Sequence, residues 1–269
     1  LYGCLQIVLV IQLTFWLIQF FSYWLSGSYI DYLAIICDMS TRYYGSGIVH
    51  FCGFFQEPST YACFMIMGLS VRLIKNKFQL KLVDVIIIAS VLLSLSILGF
   101  FCLLVLFTVC ILATKSKARS RMIMYATVMI ILIVILSYFD ILNWNYIASR
   151  AQNPLSDASG YARIIAGFEF VRNSPEFMQI FGKGYGNYNM EAVSANTMAY
   201  LLEYMGLLGA VAVLFIFVGL LIKKKVVFWA WILLGMSLLW PSYLSTLFWW
   251  FWVGMMITFG KAFRSMIPT

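Results

Sequence analysis

The chain has 269 residues, 63% of them hydrophobic and only 10% charged, against roughly 25% charged in an ordinary soluble domain. That balance excludes a soluble globular fold. Continuous rather than alternating apolar runs, many near the ~20 residues that cross a hydrocarbon core as a helix, exclude a barrel. The net charge of +8 raises nucleic acid and acidic lipid as partners, but its distribution matters more than its sum, and no nucleic-acid partner is expected. The predicted class is all-α, a polytopic transmembrane helical protein.

Leu1 opens the chain inside an apolar run, which reads as a chain lacking its true start, with no basic stretch of signal-peptide kind ahead of it. Spans are predicted at 1–24, 59–74, 82–97, 97–114, 122–139, 196–222, 226–240 and 245–260, about eight crossings of one membrane domain covering 1–269. The run 83–113 is too long for one crossing and breaks near Ser94, Ser96 and Gly99. A second long run breaks at Pro241-Ser242, where proline removes a backbone donor.

Lys and Arg orient the helices. Arg72, Lys75, Lys77, Lys81, Lys115, Lys117, Arg119, Arg121, Lys223, Lys224, Lys225, Lys261 and Arg264 fall on one side, thirteen of the eighteen basic residues, with Asp84 as their acidic neighbour. This side is read as cytoplasmic. Two long segments face the other way, 25–58 and 140–195, and hold eight of the ten acidic residues. Both are longer than helix linkers need, which marks them as the working parts. Within the large loop 140–195, Ser156–Ser159 reads as an N-cap, Ile164, Ile165, Phe168 and Val171 recur at helical spacing, and Ser174-Pro175 is a stop. An amphipathic helix lying on the outer membrane surface is expected there. The six cysteines show no metal-binding spacing, most behave as small hydrophobes, and neither a metal site nor a Cys37–Cys52 disulfide is expected.

Three stretches bear chemistry. In the segment 50–62, Glu57 stands at a membrane entry point beside Pro58, in the same stretch as His50, the sole histidine. It reads either as a general base or as a cap on the positive end of the next helix. Arg150 and Arg163 lie in the large loop; an arginine pair can grip an anionic partner through paired hydrogen bonds, or can form salt bridges to Asp157 or Asp140. Arg172 has Glu169 three residues back on the same helix and reads as structural. Gly182, Gly184 and Gly186 alternate around Lys183 and Tyr185, which allows close backbone approach to a ligand or a flexible re-entry loop. This is no phosphate-binding loop, for no GK[ST] follows.

These stretches, as "GFFQEPSTYA", an Arg…Ser-Gly…Arg loop, "FGKGYG" and "YLLEYMGLLGA", resemble the O-antigen polymerase (Wzy) and O-antigen ligase superfamily. The resemblance runs from about residue 45 to 210, strongest at 50–62 and 149–209. "SLSILGFFCLLVLF" between them resembles the family's Ser-rich turn opening a helix. His50 stands where members often carry arginine.

The resemblance implies a GT-C-like, metal-independent, inverting glycosyltransferase of the bacterial inner (cytoplasmic) membrane, working at the periplasmic face without a cofactor. Donor and acceptor would be oligosaccharides on undecaprenyl diphosphate, and a chain-length regulator would be a further partner beside membrane lipids. It implies Glu57 as base with His50 in reserve, and Arg150 and Arg163 on the diphosphate. Arg42, Lys183 and Tyr185 would line the substrate groove. A ligase places its catalytic histidine in the large loop, which here holds none, so the polymerase reading is preferred. A lipid-linked glycan transporter or flippase is the reading from another class. It would place ionisable groups at mid-membrane, where Glu203 alone is found.

Overall fold

The computed structural model of the chain describes residues 2–39, 41, 49–114, 116–138, 165–184, 197–223 and 254. All regular structure among them is α-helical. Among the described residues, three helices are long and apolar enough to cross a membrane, with candidate spans at Tyr2–Ser26, Lys117–Ile135 and Met198–Ile216. The chain is a membrane protein on that ground. Described residues up to Tyr138 belong to one compact unit, and those from Ile165 to Lys223 to a second.

The first unit contains α1 (Tyr2–Ser26), α2 (Tyr32–Cys37), α3 (Pro58–Lys75), α4 (Leu82–Leu93), α5 (Ile97–Ala113) and α6 (Ser116–Tyr138). α3 is its centre, and every residue from Pro58 to Ile74 is buried. Small residues let the neighbours close on it. A Cβ on Gly68 would sit 2.4 Å from the methyls of Leu9 on α1, and one on Gly99 of α5 would sit 2.7 Å from Ala62. α1 turns a single stripe inward, Leu5, Leu9, Gln12, Leu13, Trp16 and Gln19, at the three- and four-residue spacing of one helix face. Its other face exposes Ile7, Val10, Ile11, Ile18 and Phe21, the surface that lipid would cover.

α4 and α5 meet at the break expected near Ser94 and Ser96. The Ser94 hydroxyl donates back to the Val91 carbonyl (2.7 Å), and Leu95 takes a left-handed φ of 54°. The Ser96 hydroxyl oxygen then accepts from the Gly99 N–H at 3.1 Å and caps α5. As a result the expected span 82–97 ends early, at Leu93. Its 12 residues rise about 18 Å, short of a ~30 Å hydrocarbon core.

The ends of α1, α3 and α4 are pinned together by a buried ion pair. Arg72 binds the Asp84 carboxylate and also donates to the Gln6 side chain. Lys75 lies 3.4 Å above the Tyr2 ring, a cation–π contact. Asp84 additionally accepts from the Lys81 N–H at 2.8 Å. α1 and α3 are thus antiparallel, and one end of the unit gathers the basic residues. Arg72, counted above toward orientation, is 6% exposed and belongs to the interior.

Part of the first long segment is helical as well. Asp31 caps α2 through the N–H groups of Leu33 and Ala34 (3.1 and 3.2 Å), and its second oxygen accepts from the Thr41 N–H and hydroxyl. Cys37 is exposed, Cys52 is buried, and both thiols are free.

The second unit contains α7 (Ala166–Asn173), α8 (Glu176–Phe181) and α9 (Thr197–Lys223). α7 ends before Ser174-Pro175 as the sequence predicts, while the expected cap at 156–159 lies outside the described residues. α7 and α8 expose Phe168, Phe177, Ile180 and Phe181. α9 packs through Leu201, Leu202 and Ala210, with Met198, Met205 and Val213 against them. Gly206 interrupts it with φ 66°, ψ −176°. The expected span 226–240, and 245–260 apart from Gly254, fall outside the described residues.

A buried charge left without its partner costs roughly 3–5 kcal/mol, whereas replacing both charges with apolar groups is often close to neutral. Asp84→Ala and Arg72→Ala are therefore each expected to lower the thermal unfolding temperature in detergent markedly. The double variant Arg72→Leu/Asp84→Leu is expected to melt above either single variant, and a melt below both would remove the ion pair as the pin.

Candidate functional site

Residues 50–53 carry no helix, yet they lie against the middle of α1. A peptide there must find other partners for its polar groups, because unpaired ones in an apolar surrounding cost several kcal/mol. The inward stripe of α1 supplies them. Gln19 accepts from the N–H groups of Cys52 and Gly53 (3.0 and 3.1 Å), while its amide nitrogen donates to the Ile30 carbonyl at 2.6 Å. Trp16 Nε1 donates to the Phe51 carbonyl (3.1 Å), and Gln12 reaches the Cys52 carbonyl at 3.4 Å. The Tyr29 hydroxyl donates to the His50 carbonyl at 3.2 Å. Burial raises the Tyr29 phenol above its ordinary pKa, so it stays a neutral donor.

Gly53 is required at this spot. Its φ is +57°, and a Cβ would meet the Gln12 side-chain nitrogen at 2.7 Å. Aromatic rings close the surroundings: Trp16 stacks on Phe20 at 5.1 Å, and Phe51 meets Phe20 and Tyr23 edge-on.

Of the two residues singled out as catalytic candidates, His50 opens this segment and Glu57 stands four residues beyond it, at the start of α3. His50 is 2% exposed. Its Nδ1 lies 3.1 Å from the Ser94 carbonyl at the α4–α5 turn. A carbonyl only accepts, so Nδ1 carries the proton, and in the neutral ring Nε2 holds the lone pair.

Glu57 is 9% exposed and stands at the N-cap position of α3 with extended backbone. Its carboxylate does not cap the helix; it accepts the Ser59 hydroxyl at 3.1 Å. The first turn is instead closed by the Glu57 carbonyl, which accepts from the N–H groups of Thr60 and Tyr61 (both 3.1 Å). Nearby, the Tyr61 hydroxyl donates to Ser90 on α4 at 2.7 Å. A buried imidazole bonded to the α4–α5 turn and a buried carboxylate at the start of α3 thus stand seven residues apart in the chain.

Lys183 lies in the second unit. It is ion-paired with Glu203 of α9 and lies 4.7 Å from the Tyr204 ring. The close approach made by Gly182 is to the backbone of α9: a Cβ there would meet the Tyr204 carbonyl at 2.4 Å. Arg42, Arg150, Arg163 and Tyr185 lie outside the described residues. Gln12, Trp16, Gln19 and Tyr29 were not anticipated as parts of a site. The signal for Gln12 and Gln19, two of the three glutamines of this largely apolar span, was their separation by seven residues, a spacing that puts both on one helix face.

Leaving a buried polar group unpaired costs about 1–3 kcal/mol. Gln19→Leu orphans two amides and a carbonyl, while Gln12→Leu removes a single long bond. Thermal unfolding of the purified protein should therefore fall several-fold further for Gln19→Leu than for Gln12→Leu, and equal shifts would remove Gln19 as the main anchor of this segment.

No protein-family model, no curated protein and no solved structure matches this chain, so its chemistry rests on the residues themselves.

Proposed function

We propose that this protein is a membrane glycosyltransferase that polymerises undecaprenyl-diphosphate-linked O-antigen repeat units at the periplasmic face of the bacterial inner membrane. The growing chain is transferred from its lipid diphosphate onto a hydroxyl of the next lipid-linked unit, with inversion at the anomeric carbon. The observation that most supports this reading is the buried Glu57 carboxylate, held at the mouth of α3 without serving as its cap.

In this reading the acceptor hydroxyl gives its proton to Glu57 while its oxygen attacks the anomeric carbon, and the lipid diphosphate leaves with the bonding electrons. A base partly withdrawn from water suits that step. The leaving diphosphate needs charge neutralisation more than a proton, and Arg150 and Arg163 would supply it as fixed, bidentate cations. His50 is held in reserve as the alternative base. Arg42 and Tyr185 line the sugar groove. The exposed apolar side chains of α7 and α8, Phe168, Phe177 and Phe181, suit helices lying at the membrane surface, where a lipid-linked substrate arrives.

Deletion of the gene, with lipopolysaccharide run on a gel, tests the activity. A polymerase leaves core bearing a single repeat unit. Core alone, with long chains kept on the carrier, would mean the ligase instead, and an unchanged ladder would remove both readings.

Loss of a general base slows such a step by roughly two to four orders of magnitude. Glu57→Gln is expected to be made and inserted normally and to yield single-repeat glycan only, with Glu57→Asp retaining little activity. Long chains from Glu57→Gln would move the base to His50. Arg150→Ala and Arg163→Ala are expected to abolish chain extension, with partial rescue by lysine, because lysine is a point charge without the paired donors. Arg172→Ala is expected to be nearly silent in the same gel assay.

A further inference from the structure

Two glycine-containing stretches far apart in sequence meet in the second unit. At Gly206 the helix α9 leaves helical geometry, which strips the carbonyls of the preceding turn of their usual donors. The segment after α8 replaces them. The Lys183 N–H donates to the Glu203 carbonyl at 3.0 Å, and the Gly184 N–H to the Tyr204 carbonyl at 3.1 Å.

Backbone touches backbone here. A Cβ on Gly206 would lie 2.3 Å from the Ile180 carbonyl oxygen and 2.4 Å from the Gly182 nitrogen; a Cβ on Gly182 would lie 2.5 Å from the Gly206 nitrogen. Both glycines have positive φ, 76° and 66°. A side chain on either is excluded by its partner's main chain as well as by its own torsion. The Lys183 ammonium then closes over the joint, on the Glu203 carboxylate and near the Tyr204 ring. Both charged side chains are largely buried, 11% and 6% exposed.

We infer that Lys183 and Glu203 form a clasp that locks the segment following α8 onto the break in α9, and that both are positioning residues for the proposed transfer. This inference rests on the proposed function for its catalytic half alone. The reasoning is one of linkage along the chain. α8 and α7 both pack on α9, and α7 begins three residues after Arg163. Fixing α8 at the break therefore fixes the helix from which the diphosphate-binding segment departs. Lys183 acts on the reaction through Glu203 rather than by touching the substrate.

A charge swap separates clasp from substrate contact, because an ion pair survives exchange of its partners while a lysine that holds a sugar or phosphate does not. The variants are Glu203→Gln, Lys183→Met and the double exchange Lys183→Glu/Glu203→Lys, purified as the full chain in lipid nanodiscs. Hydrogen exchange of the Lys183 and Gly184 amides is expected to quicken by about tenfold or more in each single variant, because one buried charge loses its partner. It is expected to return most of the way in the exchanged pair. Exchange unchanged in the single variants, or still fast in the exchanged pair, would overturn the clasp. In cells, chain extension should fall in the single variants and recover in the exchanged pair. Protected amides with no recovery of extension would make Lys183 a substrate contact and overturn its positioning role. Should gene deletion leave the polysaccharide unchanged, the glycosyltransferase reading falls, and the exchange measurement still decides the clasp.

Discussion

A peptide group buried without a partner costs several kcal/mol, and the unusual parts of this protein are the places where that demand is met outside a helix. Two such places are visible. In the first unit, side chains of α1 and Tyr29 serve the amides and carbonyls of residues 50–53. In the second, the segment after α8 serves the carbonyls exposed where α9 breaks. Side chains perform the service in one case and main chain in the other. Each leaves an irregular stretch fixed inside an apolar surrounding, the only setting in which such backbone is tolerated at membrane depth.

The first of these explains how a catalytic candidate comes to be buried. Residues 50–53 are anchored and His50 is buried with them, while Glu57 is buried at the N-cap position of α3. His50 is further tied to the α4–α5 turn through the Ser94 carbonyl. That turn exists because α4 stops after 12 residues and leaves a carbonyl to be bonded. The short helix and the irregular segment complete one another.

Much of this was legible in the sequence, and the remainder failed for identifiable reasons. Long apolar runs gave α1, α6 and α9, and the serines at 94 and 96 marked the turn, since a hydroxyl that bonds locally competes with the helix. Ser174-Pro175 ended α7 for the reason proline always gives. What periodicity could not give were partners. Gln12 and Gln19 sit in a run whose average is apolar, so a window that sees average character passes over them. α2 is a six-residue helix held by Asp31, and a lone aspartate in a loop has many other uses. Lys183 and its glycines carried the right signal, close backbone approach, but the backbone approached is that of α9, twenty residues on. Arg72 shows the same gap from the other side: a charge counted for orientation is consumed by Asp84 and Gln6 inside the unit. Glu57 and His50 were legible as candidates, whereas the interactions that hold them were not.

The unequal heights of the helices bear on the surrounding lipid. α1, with 25 residues, rises about 37 Å and α6, with 23, about 34 Å, while the 18 residues of α3 rise only about 27 Å. Since α1 and α3 share their basic end through Arg72 and Gln6, the difference accumulates at the opposite end. Residues 50–57 occupy that shortfall beside α1. α3 is buried by its neighbours and sets no lipid thickness; α1, whose outer face is exposed, is longer than a ~30 Å hydrocarbon core and meets it by tilting or by thickening the lipid next to it. Residues 51–53 are bonded to α1, so a tilt of that helix carries the segment that follows His50 with it.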